Sequence, residues 1–355
     1  MKQLIFDDIY SWSVFSEMRQ VDFNGHLWVR SEGNILIDPV PMIDSDLNQF
    51  DNLGGASLIV LTNSDHEREA EFFRERTGAS VVIHEADADA LEVEADRQIT
   101  DGEEIVPGLR PIHLRYGKSP GEIALYVPEK RAVLVSDLVV GAPIGSLTLL
   151  ADDKLEDPPK AALELRKLLA LPFDAILVGD GHSILQDGRQ RLVECLQRRT
   201  DIYINRINID EIDWVKRDAP EPYDFEDKDI DPLIGAQLLG YRLIRLQPDN
   251  ASFPMHLHHF SDEMFYVMEG ECTLKTPRGD LTIIAGDFIA FPPGEAGAHK
   301  IVNEGDAPCT VLAVGMNQPH GVSEYPDSNK VFPYVSRRLF RKDDNVSYWD
   351  GEVEE

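Results

Sequence analysis

From residue 234 to residue 334 the chain shows no helical period. YRLIRL, EMFYVM, CTLKT, LTII, DFIAF and CTVLAV are short apolar or alternating runs, and PRGD, AGD, PPGEAG and NEGDAP separate them. Runs this short, bounded by turn-forming residues, read as strands. Many short strands with no helix between them close into a β-sandwich or barrel. This third of the chain is therefore expected to be all β, and its polar residues must be placed by strand alternation.

That alternation brings chemistry together. In PMHLHHFSDEMFYVMEG, His256 and His258 are two residues apart, so both imidazoles point to one side of an extended strand. Glu263 follows after a short turn and opens the next strand, which Gly270 ends. Downstream, GDFIAFPPGEAGAHKIVN places His299 on a strand after a Pro-Gly turn, within reach of the first cluster by antiparallel pairing. Three neutral imidazoles and one carboxylate suit a borderline divalent metal: iron, manganese, nickel or zinc. His259 points away from His258 and is expected at the surface or behind the site.

These segments resemble the two sequence motifs of the cupin superfamily. His256, His258, Glu263 and Gly270 keep the spacing of the first motif, and Gly286, Pro292, Gly294, His299 and Asn303 follow the second. One departure is the four residues between Gly294 and His299, where two are usual. The resemblance implies a small barrel with one metal inside, held by His256, His258, Glu263 and His299. It also implies a homodimer through barrel edges.

The first 200 residues mix strands and helices. HLWVR, NILIDP, LIVL, VVIH, RPIHLRY, EIALYV, RAVLVSD and AILVG read as strands; EREAEFFRERTG, PPKAALELRKLLAL and RQRLVECLQRR read as helices. The pattern suggests layered α/β structure. NILIDPVP, LIVLTNSDHEREAEFF, YGKSPGEIALY, AVLVSDLVVG and ILVGDGHS are similar to segments of the metallo-β-lactamase fold, which implies an αββα domain. That family carries H-x-H-x-D-H at one strand end, and here Leu61 and Asn63 replace both leading histidines. Lys118 stands where a further histidine is expected and is a candidate charge substitute. Asp65, His66, Asp137 and His182 match the ligands of the family's second metal, so a single-metal remnant is one expectation. A domain kept for its shape is the other, since Ser64 with Glu67 reads as a capping box for the next helix. Asp38, at a strand end, is expected to be structural, and His26, His84, His113 and His320 stand singly.

The whole reads as an α+β two-domain chain: residues 1–200, an acidic Pro-containing linker over 201–233, the barrel over 234–334, and a polar tail over 335–355. Sixty-four acidic against 34 basic residues give a net charge of −30, which repels phosphate backbones and argues against nucleic acid. No stretch reaches the ~20 apolar residues of a membrane helix. Cys195, Cys272 and Cys309 are far apart and odd in number, which disfavours a disulfide framework and fits a reducing cytoplasm. Three functions remain. A cupin enzyme would act on a small polar metabolite. A non-catalytic module would bind or sense one. A hydrolase would use the remnant of the N-terminal site.

Overall fold

The computed structural model describes residues 1–343, 346–350 and 352 of the chain. The rest of the polar tail expected over 335–355 lies outside the described residues. The chain divides into two units, Met1–Ile204 and Asn205–Glu355.

In the first unit a seven-stranded sheet runs in chain order from Lys2–Gln3 to Arg97–Ile99. Its strands Ile35–Ile37, Leu58–Val60, Ser80–His84 and Arg97–Ile99 pair in parallel. A second sheet orders Ala175–Val178, Ala132–Val135, Ile123–Val127 and Arg110–His113. Strand alternation divides the apolar side chains between cores. Ile35, Ile37, Val60 and Val82 share one core with Ile123, Leu125, Leu134 and Leu177 of the other sheet. Their neighbours Leu36, Ile59, Val81 and Ile83 turn the other way, onto Phe50 and Phe73 of the helices Asp44–Asn52 and Ala70–Thr77. Ala124, Val133, Val135 and Val178 likewise pack against Leu165, Leu168, Leu192 and Leu196.

Two local expectations change here. The turn Ser64–His66 is capped by Asn63, whose Oδ1 accepts from the His66 amide at 2.9 Å, not by Ser64. The Glu67 carboxylate instead accepts from the amides of Glu92 and Val93. His84 and His113 are not solitary: their rings stack at 4.1 Å.

Among its described residues the second unit is built of strands, with one short α-helix, Asp231–Ile234, and 3-10 turns. A six-stranded sheet orders Val215–Lys216, Glu226–Asp229, Leu239–Leu246, Cys309–Met316, Glu263–Glu269 and Phe288–Phe291. Smaller sheets join Gly279–Ile284, Glu271–Thr276 and Lys300–Val302, and join Leu257–His258, Val322–Tyr325, Lys330–Pro333 and Phe340–Arg341. Phe265, Val267, Leu274, Ile283, Phe291, Ile301 and Val311 fill the core. Gly270 has φ +81°, and a Cβ there would lie 2.4 Å from the Pro308 carbonyl oxygen, so the turn requires glycine. Asn303 is fully buried and donates to the carbonyls of Leu246 and Ala307, a structural role.

Part of the expected linker belongs to this unit. Glu226–Asp229 pairs antiparallel with Leu239–Leu246, and Phe225 is in the core. Its acidic composition is accommodated by pairing: Asp227 with Arg217 and Arg242, and Glu226 with Arg245. The cysteine expectation is corrected as well. Cys272 and Cys309 form a disulfide, 37 residues apart in sequence, because strands of two different sheets meet in the core. The argument for a reducing compartment from unpaired cysteines falls with it; Cys195 is free and buried. Among the described residues no helix is long and apolar enough to cross a membrane.

Candidate metal centre

The backbones of His256 and His299 bond to one another in both directions, at 3.1 and 2.9 Å. This pairing joins the two motifs across the barrel. Glu263 opens the strand Glu263–Glu269, and its Oε2 lies 3.1 Å from His258 Nε2, 3.3 Å from His299 Nε2 and 3.8 Å from His256 Nε2. His256, His258 and Glu263 offer ligand atoms all within 4.8 Å of one another.

The opposite ring nitrogens are already engaged. His256 Nδ1 is 2.9 Å from the Pro254 carbonyl, and His299 Nδ1 is 2.8 Å from the Gly297 carbonyl. A carbonyl only accepts, so both Nδ1 atoms carry the proton and both Nε2 lone pairs face Glu263. His258 Nδ1 meets Tyr334 Oη at 3.0 Å and Ser323 Oγ at 3.1 Å, and those hydroxyls are 2.6 Å apart. Either hydroxyl can accept from Nδ1–H or donate to Nδ1, so the contact does not fix this tautomer, and His258 Nε2 is itself within hydrogen-bond distance of the Glu263 carboxylate.

Aromatic packing fixes the most buried ligand candidate. Phe291 stacks on His299 at 3.6 Å, and Phe265 meets its edge at 5.4 Å. These phenylalanines form the wall behind His299. Burial, with His299 and His258 nearby, pushes His256 down to about 4, so it is neutral at pH 7. Burial opposes ionisation of Glu263, but the adjacent imidazoles of His258 and His299 outweigh it and hold the carboxyl well below its usual range. A neutral His256 and an ionised Glu263 are in the protonation states a metal requires. The buried Nε2 of His299 makes no hydrogen bond of good geometry, and such an orphan calls for a partner. By this test the residues fit a divalent ion. His259 points outward and pairs with Glu324.

The N-terminal unit has a second cluster at the carboxyl ends of its parallel strands, where α/β sheets commonly place sites. There the structure brings together His66, Asp137 and Asp180, with ligand atoms within 4.8 Å. It does not bring in Asp65 or His182, both of which are exposed. Asp180, two residues before His182, was not singled out in the sequence; the GDGHS turn holds both, and the backbone decides which points inward. Gly179 permits this, because a Cβ there would lie 2.6 Å from the His66 ring.

The carboxylates of this cluster have side-chain cations on them. Lys118 Nζ is 2.9 Å from Asp137 Oδ2 and 2.6 Å from Asp65 Oδ2. Arg68 Nη2 is 3.0 Å from Asp180 Oδ1 and 2.9 Å from His66 Nε2. Asn63, in a position where the family carries histidine, donates to Asp137 at 3.0 Å. Asp38 is fully buried, bonds His66 Nδ1 at 2.8 Å and accepts from the Thr62 amide. Burial works against Asp137 ionising, yet His66 and Lys118 hold it far below the usual carboxylate range. Burial and the Asp137 charge push the nearby Glu122 up to about 7.

Residues 1–198 match the model of the Metallo-beta-lactamase superfamily, and residues 242–315 match that of the Cupin domain. The first match covers more than half of the chain, which therefore belongs to the metallo-beta-lactamase superfamily; it also carries a cupin domain. Among solved structures it is similar to a putative sugar phosphate isomerase from Acidithiobacillus ferrooxidans, at 25% identity over 41% of this chain and 96% of that one, with a TM-score of 0.37. A sugar phosphate isomerase of the cupin superfamily from Silicibacter pomeroyi shows 27% identity over 41% and 98%, with a TM-score of 0.36. A metallo-beta-lactamase from Pontibacter korlensis shows 15% identity over 56% and 98%, with a TM-score of 0.45. No curated protein matches the chain.

Proposed function

We propose that this is a metal-binding cupin protein that acts on a small polar molecule at one divalent ion held by His256, His258, Glu263 and His299. The observation that carries this reading is the convergence of three imidazole Nε2 atoms on one Glu263 oxygen. When bound, such an ion would act as a Lewis acid, polarising an oxygen of the ligand. The chain's own residues prepare for it. The carbonyls of Pro254 and Gly297 set two tautomers, the Tyr334–Ser323 pair orients the third ring, and Phe265 and Phe291 keep water from behind His299.

We read the N-terminal domain as an αββα sandwich kept for its structure. Lys118 and Arg68 supply positive charge to carboxylates that a metal would otherwise neutralise, which weighs against hydrolysis by a single-metal remnant. The second reading of the cupin is a module that binds without converting. Incubating candidate ligands with metal-loaded protein and analysing what is recovered separates the two. A changed ligand with the intact chain, unchanged with His256→Ala/His258→Ala, supports an enzyme. Full turnover by that variant would sink the proposed site.

A further inference from the structure

A cavity of about 400 Å3 opens beside His258 and Glu263. Besides Glu263, three carboxylates line it: Asp229, Asp231 and Asp262. The one cationic side chain in its wall, Arg242, is already engaged. Its Nε is 3.1 Å from Asp227 and its Nη2 is 3.3 Å from Asp229. The oxygens of Asp231 accept from the Tyr241 amide and from Asn317 Nδ2, which occupies that donor too. Asp262 is exposed and, among the described residues, has no hydrogen-bond or ionic partner. The wall therefore carries more carboxylates than cations, beside the hydroxyl-bearing Tyr241 and Ser261.

Three ligand classes meet this wall differently. A phosphate or carboxylate would find the divalent ion at Glu263, but the rest of its charge would face Asp229, Asp231 and Asp262, with no unpaired side-chain cation in the wall to offset them. An ammonium would suit the carboxylates but would be repelled by a divalent ion at Glu263. A hydroxyl suits both, because its oxygen offers lone pairs to a cation while its proton goes to a carboxylate. We infer that the cavity takes an uncharged polyhydroxylated molecule, a sugar or polyol, with hydroxyls turned toward the metal site and one donating to Asp262. It discriminates against phosphorylated and carboxylated forms of the same skeleton. This inference rests on the metal reading above and narrows its ligand class.

Cobalt(II) tests both layers, because its visible spectrum reports its ligands. The full-length protein would be loaded with cobalt and titrated with D-glucose, D-ribose and D-xylose, then with glucose 6-phosphate, ribose 5-phosphate and gluconate. The expected result is a saturable spectral shift with at least one neutral sugar, and binding at least tenfold weaker for its charged relatives. Asp262→Asn should take up cobalt normally and bind that sugar about tenfold more weakly, since a charge-assisted hydrogen bond is lost. Equal or tighter binding of the anionic forms, or no shift with any neutral sugar, would overturn the ligand class and leave the metal site standing. Failure to take up cobalt, or uptake unaffected by His258→Ala, would overturn both.

Discussion

Replacing Lys118 by Met tests whether a side-chain cation holds the N-terminal site together. Met keeps most of the apolar stem and removes the ammonium, leaving Asp137 at 5% side-chain exposure without its nearest cation. Breaking a buried pair costs about 3–5 kcal/mol. Lys118 is a quarter exposed and Asp137 retains Asn63 and His66, so a cost of about 2–3 kcal/mol is expected. Asp137→Asn removes the stranded charge, so Lys118→Met/Asp137→Asn should be more stable than the two single costs imply, with a coupling of about 2 kcal/mol. The assay is urea unfolding of the full-length chain, following the transition of the N-terminal domain in all four proteins at one pH. Additive costs, with coupling within about 0.5 kcal/mol of zero, would refute the reasoning.

The disulfide closes a separation of 37 residues, so its reduction should destabilise the cupin domain by about 4 kcal/mol; under denaturing conditions one thiol per chain should titrate before reduction and three after it. Three thiols before reduction would rule the bridge out. Tyr334→Phe removes one partner of His258 Nδ1 and should weaken metal binding by roughly tenfold in a chelator competition, with the fold unchanged by circular dichroism. Burial lowers His26 to about 4 in the folded N-terminal domain. The unfolded chain then binds more protons between pH 6.5 and 4, so stability falls as pH drops through that window, by about 3 kcal/mol in all. A buried neutral replacement, His26→Gln, should flatten that acid limb in unfolding curves taken from pH 7 to 4; an unchanged slope would contradict it.

The cluster of His256, His258 and Glu263 was legible because its geometry is local. Two histidines at a spacing of two must share a face, and a Pro-Gly turn sets the strand that carries His299. What surrounds them was not legible. Tyr334 reaches His258 across 76 residues, and no motif links the two. The Cys272–Cys309 pair depends on how two separate sheets face each other across the core, which no local pattern defines. Strand alternation worked in the N-terminal domain too, where Ile35, Ile37 and Leu36 divide between cores as their parity requires. It failed at loop tips. Whether Asp180 or His182 turns inward follows from the backbone of a glycine-rich turn, and Asn63 rather than Ser64 caps because it sits one residue before the helical turn. The acidic stretch around Asp227 looked like a linker because the strand it pairs with, which carries Arg242 and Arg245, lies outside it.

The most direct test is the metal content per chain of the purified full-length protein, with the element identified, beside His256→Ala/His258→Ala and Asp137→Ala. One divalent ion per chain, lost in the double variant and retained in Asp137→Ala, is the result expected here. No metal even after reconstitution, or metal that follows Asp137 and not the cupin histidines, would contradict the central claim.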